Sequence, residues 1–160
     1  MAEMNTKAMY KLTYGLFVCT AVRGEKKNGC IINTAVQVAS EPNRISIAVN
    51  KANYTHDMIM ETGECNISVI SNEADFGLFK HFGFQSGRDV DKFESLTPQL
   101  DVNGNPYLGY QACAVISGKV VDSMDLGSHT MFIAEIDDMK VLSENAPLTY
   151  ADYHANVKHD

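Results

Sequence analysis

A chain of 160 residues, 45% hydrophobic and 21% charged, suits one globular domain over residues 1–160 with a substantial core. Its net charge of −7 disfavours nucleic acid and anionic membrane surfaces as partners, while leaving room for a small anion held by a local cationic pocket. No apolar run approaches the roughly 20 residues of a membrane-spanning helix, and Met1 to Lys11 lacks a signal-peptide core, so the expectation is a cytoplasmic protein.

Residues 6–12 read as a short helix and Gly15 to Val22 as a strand rich in Phe, Val and Thr. Gly24 to Gly29 reads as a turn ending in Asn28-Gly29, followed by a strand from Cys30 to Ala39. That strand keeps Asn33, Thr34 and Gln37 inside an apolar run. Buried amides and hydroxyls need partners, so the three together suggest the wall of a polar, planar ligand site. Ser40 to Asn43 is a turn. Arg44 to Asn50 alternates, with Ile45, Ile47 and Val49 on one face, as a half-buried strand does.

A helix follows from Thr55 to Thr62, with Gly63 as its stop and Asp57 in its first turn. Asn66 to Ile70 is a strand, and Ala74 to His81 is a helix ending at Gly83. Residues 84–110 look irregular, and long loops in compact domains are often functional. Gln111 to Val121 and His129 to Val141 are long strands joined by a turn at Asp125 to Ser128, and the tail after Pro147 is aromatic and polar. Strands outnumber helices without βα alternation, which favours a mainly β, antiparallel, closed or partly closed barrel.

Cys19, Cys65 and Cys113 sit in strand-like runs and read as buried free thiols of a reducing compartment, whereas Cys30 stands apart beside the Asn28-Gly29 turn. No C-x-x-C pair or paired-His motif indicates a metal, and His154 and His159 face differently on a helix. Three places carry possible chemistry. Asn50-Lys51 followed by Thr55-His56 puts a lysine beside a helix start, a setting for phosphate. Phe82 to Arg88 combines glycines, a hydroxyl and a guanidinium in one loop. His129 at a strand start is suited to proton handling. A capped helix, a mobile loop and a structural histidine are the plainer alternatives.

Taken together these segments resemble the flavin reductase-like family of FMN-binding split barrels. The likeness is especially close to the branch that includes archaeal ferric reductases and the flavin domain of high-molecular-weight rubredoxins. It rests on Asn28-Gly29-Cys30-Ile31-Ile32-Asn33-Thr34 with Pro42, on Val49-Asn50-Lys51 with Tyr54-Thr55-His56, and on the run from Phe79 to Phe93. Asp125 to Glu135, containing Gly127-Ser128-His129-Thr130, and Thr149 to His154 extend it to residues 8–157. Pro42 is followed by Asn43 where the family usually has a second proline, and no rubredoxin-like cysteine pairs follow the barrel.

The resemblance implies a six-stranded antiparallel Greek-key split barrel with a few peripheral helices, a homodimer, and FMN bound near the subunit interface. It implies that Asn33, Thr34 and Gln37 line the isoalloxazine or ribityl, and that Asn50, Lys51, Thr55 and His56 surround the phosphate. Ser86, Gly87 and Lys92 would close over the ribityl-phosphate side, with Phe84 of the same loop and Cys30 also at the cofactor. His129, the candidate catalytic residue, would stand near the nicotinamide or flavin edge. The implied activity passes electrons from NADH or NADPH through FMN to ferric iron, free flavin or a rubredoxin-type protein. The alternative is a flavoredoxin-like electron carrier with no nicotinamide site of its own.

Overall fold

Gly24, at φ +60°, closes a tight turn between β1 (Phe17–Arg23) and β2 (Lys26–Ile32). The turn thus falls earlier than the Asn28-Gly29 dipeptide suggests. Asn28 and Gly29 lie inside β2, opposite Ala21 and Thr20. Gly29 is there for packing, because a Cβ would meet Thr20 at 3.0 Å and the Phe82 ring at 3.3 Å. The structure, a computed structural model, describes residues 3–158; the expectation for His159 falls outside that range.

The strand expected from Cys30 to Ala39 is two strands. The chain breaks at Asn33-Thr34 and resumes as β3 (Ala35–Ser40), which turns through a cis Glu41–Pro42 bond into β4 (Asn43–Asn50). Next come α1 (Tyr54–Thr62), β5 (Glu64–Ile70) and α2 (Phe76–Gly83). Within the segment read as irregular, β6 (Gln99–Leu100) and β7 (Pro106–Tyr107) form a two-stranded ribbon. The long hairpin of β8 (Ala112–Asp125) and β9 (His129–Val141) follows. A short α3 (Tyr150–Asp152) and a π turn (Tyr153–Val157) complete the tail, and residues 6–11 form a 3₁₀ helix.

The main sheet has seven strands in the order β2-β1-β5-β8-β9-β4-β3, not six. Its two edge strands, β2 and β3, are consecutive in sequence and joined across Asn33 and Thr34. The sheet must therefore curl until its edges meet, while no ladder bonds them: a split barrel. Thr34 extends the β3–β4 ladder by one rung, donating from Oγ1 to the Ala48 carbonyl at 2.8 Å and accepting the Ala48 N–H at its own carbonyl at 3.1 Å.

The barrel is filled by Ile47, Val49, Ile67, Phe132 and Ala134, with Met58 and Ile59 of α1 plugging it. Each large apolar side chain buried this way contributes roughly 1.5–3 kcal/mol. A second core packs α2 and the C-terminal turn against the outside of β1 and β5, with Phe79 and Tyr153 rings 4.4 Å apart. All four cysteines are free and buried, Cys30 included.

Candidate functional site

The site is built where β4 runs into α1. Asn50 turns the chain, its Oδ1 accepting the Ala52 N–H at 2.8 Å and its carbonyl accepting the Asn53 N–H at 3.0 Å. Asn53 occupies the position before the helix yet makes no side-chain cap bond. The first-turn N–H groups of α1 therefore lack the usual cap and carry the positive end of the helix dipole.

Around Asn53 three adjoining cavities form one groove. The first, about 240 Å³, brings together Asn33, Thr34, Asn50 and His129. The second, about 260 Å³, lies between Leu16, Ile31, Phe84 and Tyr150. The third, about 340 Å³, is walled by Asn28, Cys30, Tyr54, Phe84, Ser86, Gly87 and Lys92. Asn53 lines all three. A combined groove of this kind falls in the range of small-molecule sites.

The third cavity is polar, with Lys92 in its wall and Tyr54 at its edge. The Tyr54 ring has Arg88, Arg23 and Lys26 at 5.0, 5.2 and 5.9 Å from its centroid. Arg88 pairs with Asp57 at 2.5 Å, and that guanidinium, with a smaller contribution from His56, holds the Asp57 carboxyl below the usual carboxylate range. Lys92 is 3% exposed, and its ammonium donates to the carbonyls of Gly29 at 2.7 Å and Phe82 at 2.8 Å. Burial pushes its pKa down, against the pull of Cys30. A hydrogen bond from Cys19, the residue directly opposite across the ladder, lowers the Cys30 pKa; Thr55 and Lys92 add to that lowering while burial opposes it.

Asn28 is buried and donates from Nδ2 to Thr55 Oγ1 at 3.0 Å, yet its Oδ1 has no partner. A buried orphan acceptor is costly unless a ligand or water supplies a donor. Gly87 explains the close fit above it: a Cβ there would stand 2.2 Å from Asn28 Oδ1.

Other expected residues stand outside the groove lining. Gln37 faces the opposite end of the barrel and donates to Asn43 Oδ1 at 2.9 Å. The Lys51 ammonium pairs with Asp125 at 2.6 Å. Thr55 is buried beneath Asn28, and His56 is held between Asp57 at 3.0 Å and Thr130 at 2.7 Å. Both lie behind the groove wall. His129, opposite Asn50 in the β4–β9 register, stays on the groove with Nδ1 2.8 Å from Ser128 Oγ. Arg88 is the guanidinium of the loop read from sequence as a place of possible chemistry, whereas Asn28, Asn53, Tyr150, Arg23 and Lys26 carry no site role in the sequence reading. Asn53 before a helix could have been flagged, since a cap residue there is expected; the others come together only through tertiary contacts.

Such a groove can hold a phosphate at the helix start, hydroxyls and a heteroaromatic edge along Asn28, Asn33 and Asn50, and a flat ring against Ile31 and Phe84. Among known proteins, the chain is 40% identical to the high molecular weight rubredoxin of Moorella thermoacetica, over 94% of this chain and 66% of that protein, so it spans just under two thirds of that relative's length. It is 38% identical to the ferric-chelate reductase (NAD(P)H) of Archaeoglobus fulgidus, over 97% of this chain and 92% of that one. The fold is shared with an NADH:FAD oxidoreductase of Streptomyces globisporus, at TM-score 0.78, 20% identity and 93% coverage of both chains. It is also shared with flavin reductase HpaC complexed with NADP+, at TM-score 0.76, 22% identity and 91% and 90% coverage. The family described as "Flavin reductase like domain" matches residues 9–157, nearly the whole chain, and to that family this protein belongs.

Proposed function

We propose that the groove binds FMN and that the protein is an NAD(P)H oxidoreductase, passing electrons to an acceptor such as ferric iron, free flavin or a rubredoxin-type protein. One observation carries the reading: an uncapped helix start, with three cations gathered around the Tyr54 ring of its first turn, opens directly onto a slot with a buried, unpartnered amide oxygen. The relatives' names, one a reductase using NAD(P)H and one a rubredoxin, support the electron path at both ends.

When bound, the flavin supplies the redox chemistry, taking a hydride from the nicotinamide and passing electrons onward. The chain's own residues bind and orient. The α1 first-turn amides and Arg88 would take the phosphate, and Asn28 Oδ1 would accept from the ligand. Asn33 and Asn50 would meet the polar edge of the ring, while Ile31 and Phe84 would pack on one face and leave the other for the nicotinamide. Lys92 spends two of its three protons on backbone carbonyls, leaving one to donate. His129 stands at the far mouth, where the nicotinamide would enter.

A homodimer is part of this proposal. The edge strand β3 exposes Val36 and Val38, and the end of the β8–β9 hairpin exposes Val121, Met124 and Leu126, apolar surface that a second copy would cover. Sedimentation analysis would show a dimer; a monomer at micromolar concentration removes that part. The four free thiols fit a cytoplasmic setting. Anaerobic rapid mixing of the flavin-loaded protein with NADH or NADPH tests the activity. Bleaching of the flavin absorption band is expected. Flavin retention without bleaching by either nucleotide would instead indicate a flavoredoxin-like carrier.

A further inference from the structure

Cys19 and Cys30 stand directly opposite each other in the β1–β2 ladder, so both side chains leave the same face of the sheet, into the barrel. Gly24 and Glu25 form a two-residue turn closed by Arg23 and Lys26. A closing pair of this kind is hydrogen-bonded. The alternation along an antiparallel ladder then makes Cys19 and Cys30 a hydrogen-bonded pair as well, with Cα atoms roughly 5.5 Å apart. That spacing lies inside the range a disulfide spans. Both thiols are free.

Access separates the two. Cys30 lines the second and third cavities of the groove. Cys19 is fully buried and lines none of the three, so a molecule in the groove reaches it only through Cys30. The hydrogen bond between the thiols runs from Cys19 to Cys30. It is the largest cause raising the Cys19 pKa and lowering that of Cys30; Thr55 and the Lys92 ammonium add to the lowering, and burial opposes it. Lys92 is held close by its bond to the neighbouring Gly29 carbonyl at 2.7 Å. Cys65 and Cys113 have neither the pairing nor the access. Cys65 faces Gly118 across its ladder, and neither thiol lines the groove. Burial pushes both up, Cys65 to about 12.

We propose that Cys19 and Cys30 form a thiol–disulfide exchange site in the groove wall, with Cys30 as the attacking sulfur and Cys19 as the resolving one, open to small disulfides that enter the groove. It needs only the groove wall and stands whether or not the ligand is a flavin. The Cys30 thiolate attacks one sulfur of the small disulfide. That S–S bond breaks, a mixed disulfide forms on Cys30, and the first thiolate leaves. Cys19 gives up its proton and attacks the Cys30 sulfur, which expels the second thiol and closes the Cys19–Cys30 bond. The two cysteines lose two electrons, and the small disulfide is reduced to two thiols that carry away the two protons. An excess of reduced thiol runs the same steps backwards, as a reducing compartment would.

The test exposes the full-length, flavin-free protein to oxidised glutathione without oxygen, then reads intact mass and maps the thiols by alkylation after denaturation. Wild type should lose two hydrogen atoms per chain, and the loss should map to a Cys19–Cys30 disulfide. Cys65 and Cys113 should stay alkylatable, which shows that the folded protein reacted. Cys19→Ser should stop at a single glutathione held on Cys30, and Cys30→Ser should slow exchange roughly tenfold or more. Both substitutions lie in the barrel wall, so where either variant fails to fold, the wild-type map decides. A Cys19–Cys30 crosslink upholds the site. Glutathione retained without that crosslink, a crosslink through Cys65 or Cys113, or four thiols still alkylatable overturns it.

Discussion

The two ends of β4 open onto cavities of similar size and opposite character. At the Asn50 end the cavity, about 340 Å³, holds an uncapped helix start, a buried lysine and an amide oxygen without a partner. At the Asn43 end the cavity, about 380 Å³, is walled by Phe17, Ile45, Ile67, Ile116 and Met139. Its two amides, Gln37 and Asn43, are bonded to each other, and Gln37 also donates to the Ala39 carbonyl. Volume does not distinguish them. What distinguishes them is unmet hydrogen-bonding capacity and local positive charge, which cost stability unless a ligand uses them. A nucleotide phosphate can gain at the first end and has nothing to gain at the second.

The largest effect that sharpens this contrast is expected from Phe82→Ala. Phe82 is 1% exposed, packs on Gly29 and Phe93, and presents the carbonyl that receives Lys92. Denaturant unfolding should show a loss of about 3–5 kcal/mol, with weakened flavin binding in parallel. Full stability in the variant would mean that the groove floor is not held from below.

Gly87→Ala comes next. The added methyl must displace Asn28, breaking its bond to Thr55, so a loss of about 1–3 kcal/mol and weaker flavin binding are expected. A binding constant equal to wild type would detach Asn28 from the ligand.

Arg88→Ala should lower FMN affinity roughly tenfold in a fluorescence titration, as one charged partner of the phosphate is lost. Lys51→Ala, whose ammonium is engaged by Asp125, and Gln37→Ala, at the other end, should each change it by less than about twofold. If Lys51 proves the larger loss, the phosphate sits nearer the β8–β9 turn than proposed.

The smallest effect is on acid stability. Arg88 and His56 hold the folded Asp57 pKa below the ordinary carboxylate value of about 4, so the unfolded chain takes up the proton first as pH falls. The stabilisation is present in full above that value and disappears as pH drops through the lowered one. Asp57 is 43% exposed, so it amounts to less than about 1 kcal/mol. Thermal midpoints of wild type and Asp57→Asn should differ near neutral pH and converge on acidification. A gap that widens in acid has the wrong sign for this pair.

Much of the architecture is legible in local sequence because it depends on local physics. The alternation of Ile45, Ile47 and Val49 marks β4, and all three are buried. Gly63 ends α1 in the left-handed region at φ 71°. What misleads is local signal overruled by distant partners. Asn28-Gly29 has the chemistry of a hairpin turn, yet Asn28 finds Thr55 and is drawn into a strand. The Lys51 partner, Asp125, is 74 residues away. Gln37 was grouped with Asn33 and Thr34 because the run reads as one strand. The sheet changes edge at that point, and at about 3.3 Å per residue Gln37 stands roughly 10 Å further on. Asn33, Thr34, Asn50, His129 and the loop from Phe84 to Lys92 do meet in one groove, since each motif sits at the same end of adjoining elements.

The phosphate at the start of α1 is best tested by titrating the flavin-free protein with FMN and with riboflavin, which differ by that group alone. Charge-assisted bonds to the phosphate should make FMN bind roughly 10–100-fold more tightly than riboflavin. Equal affinity for the two would contradict an anchor at the helix start.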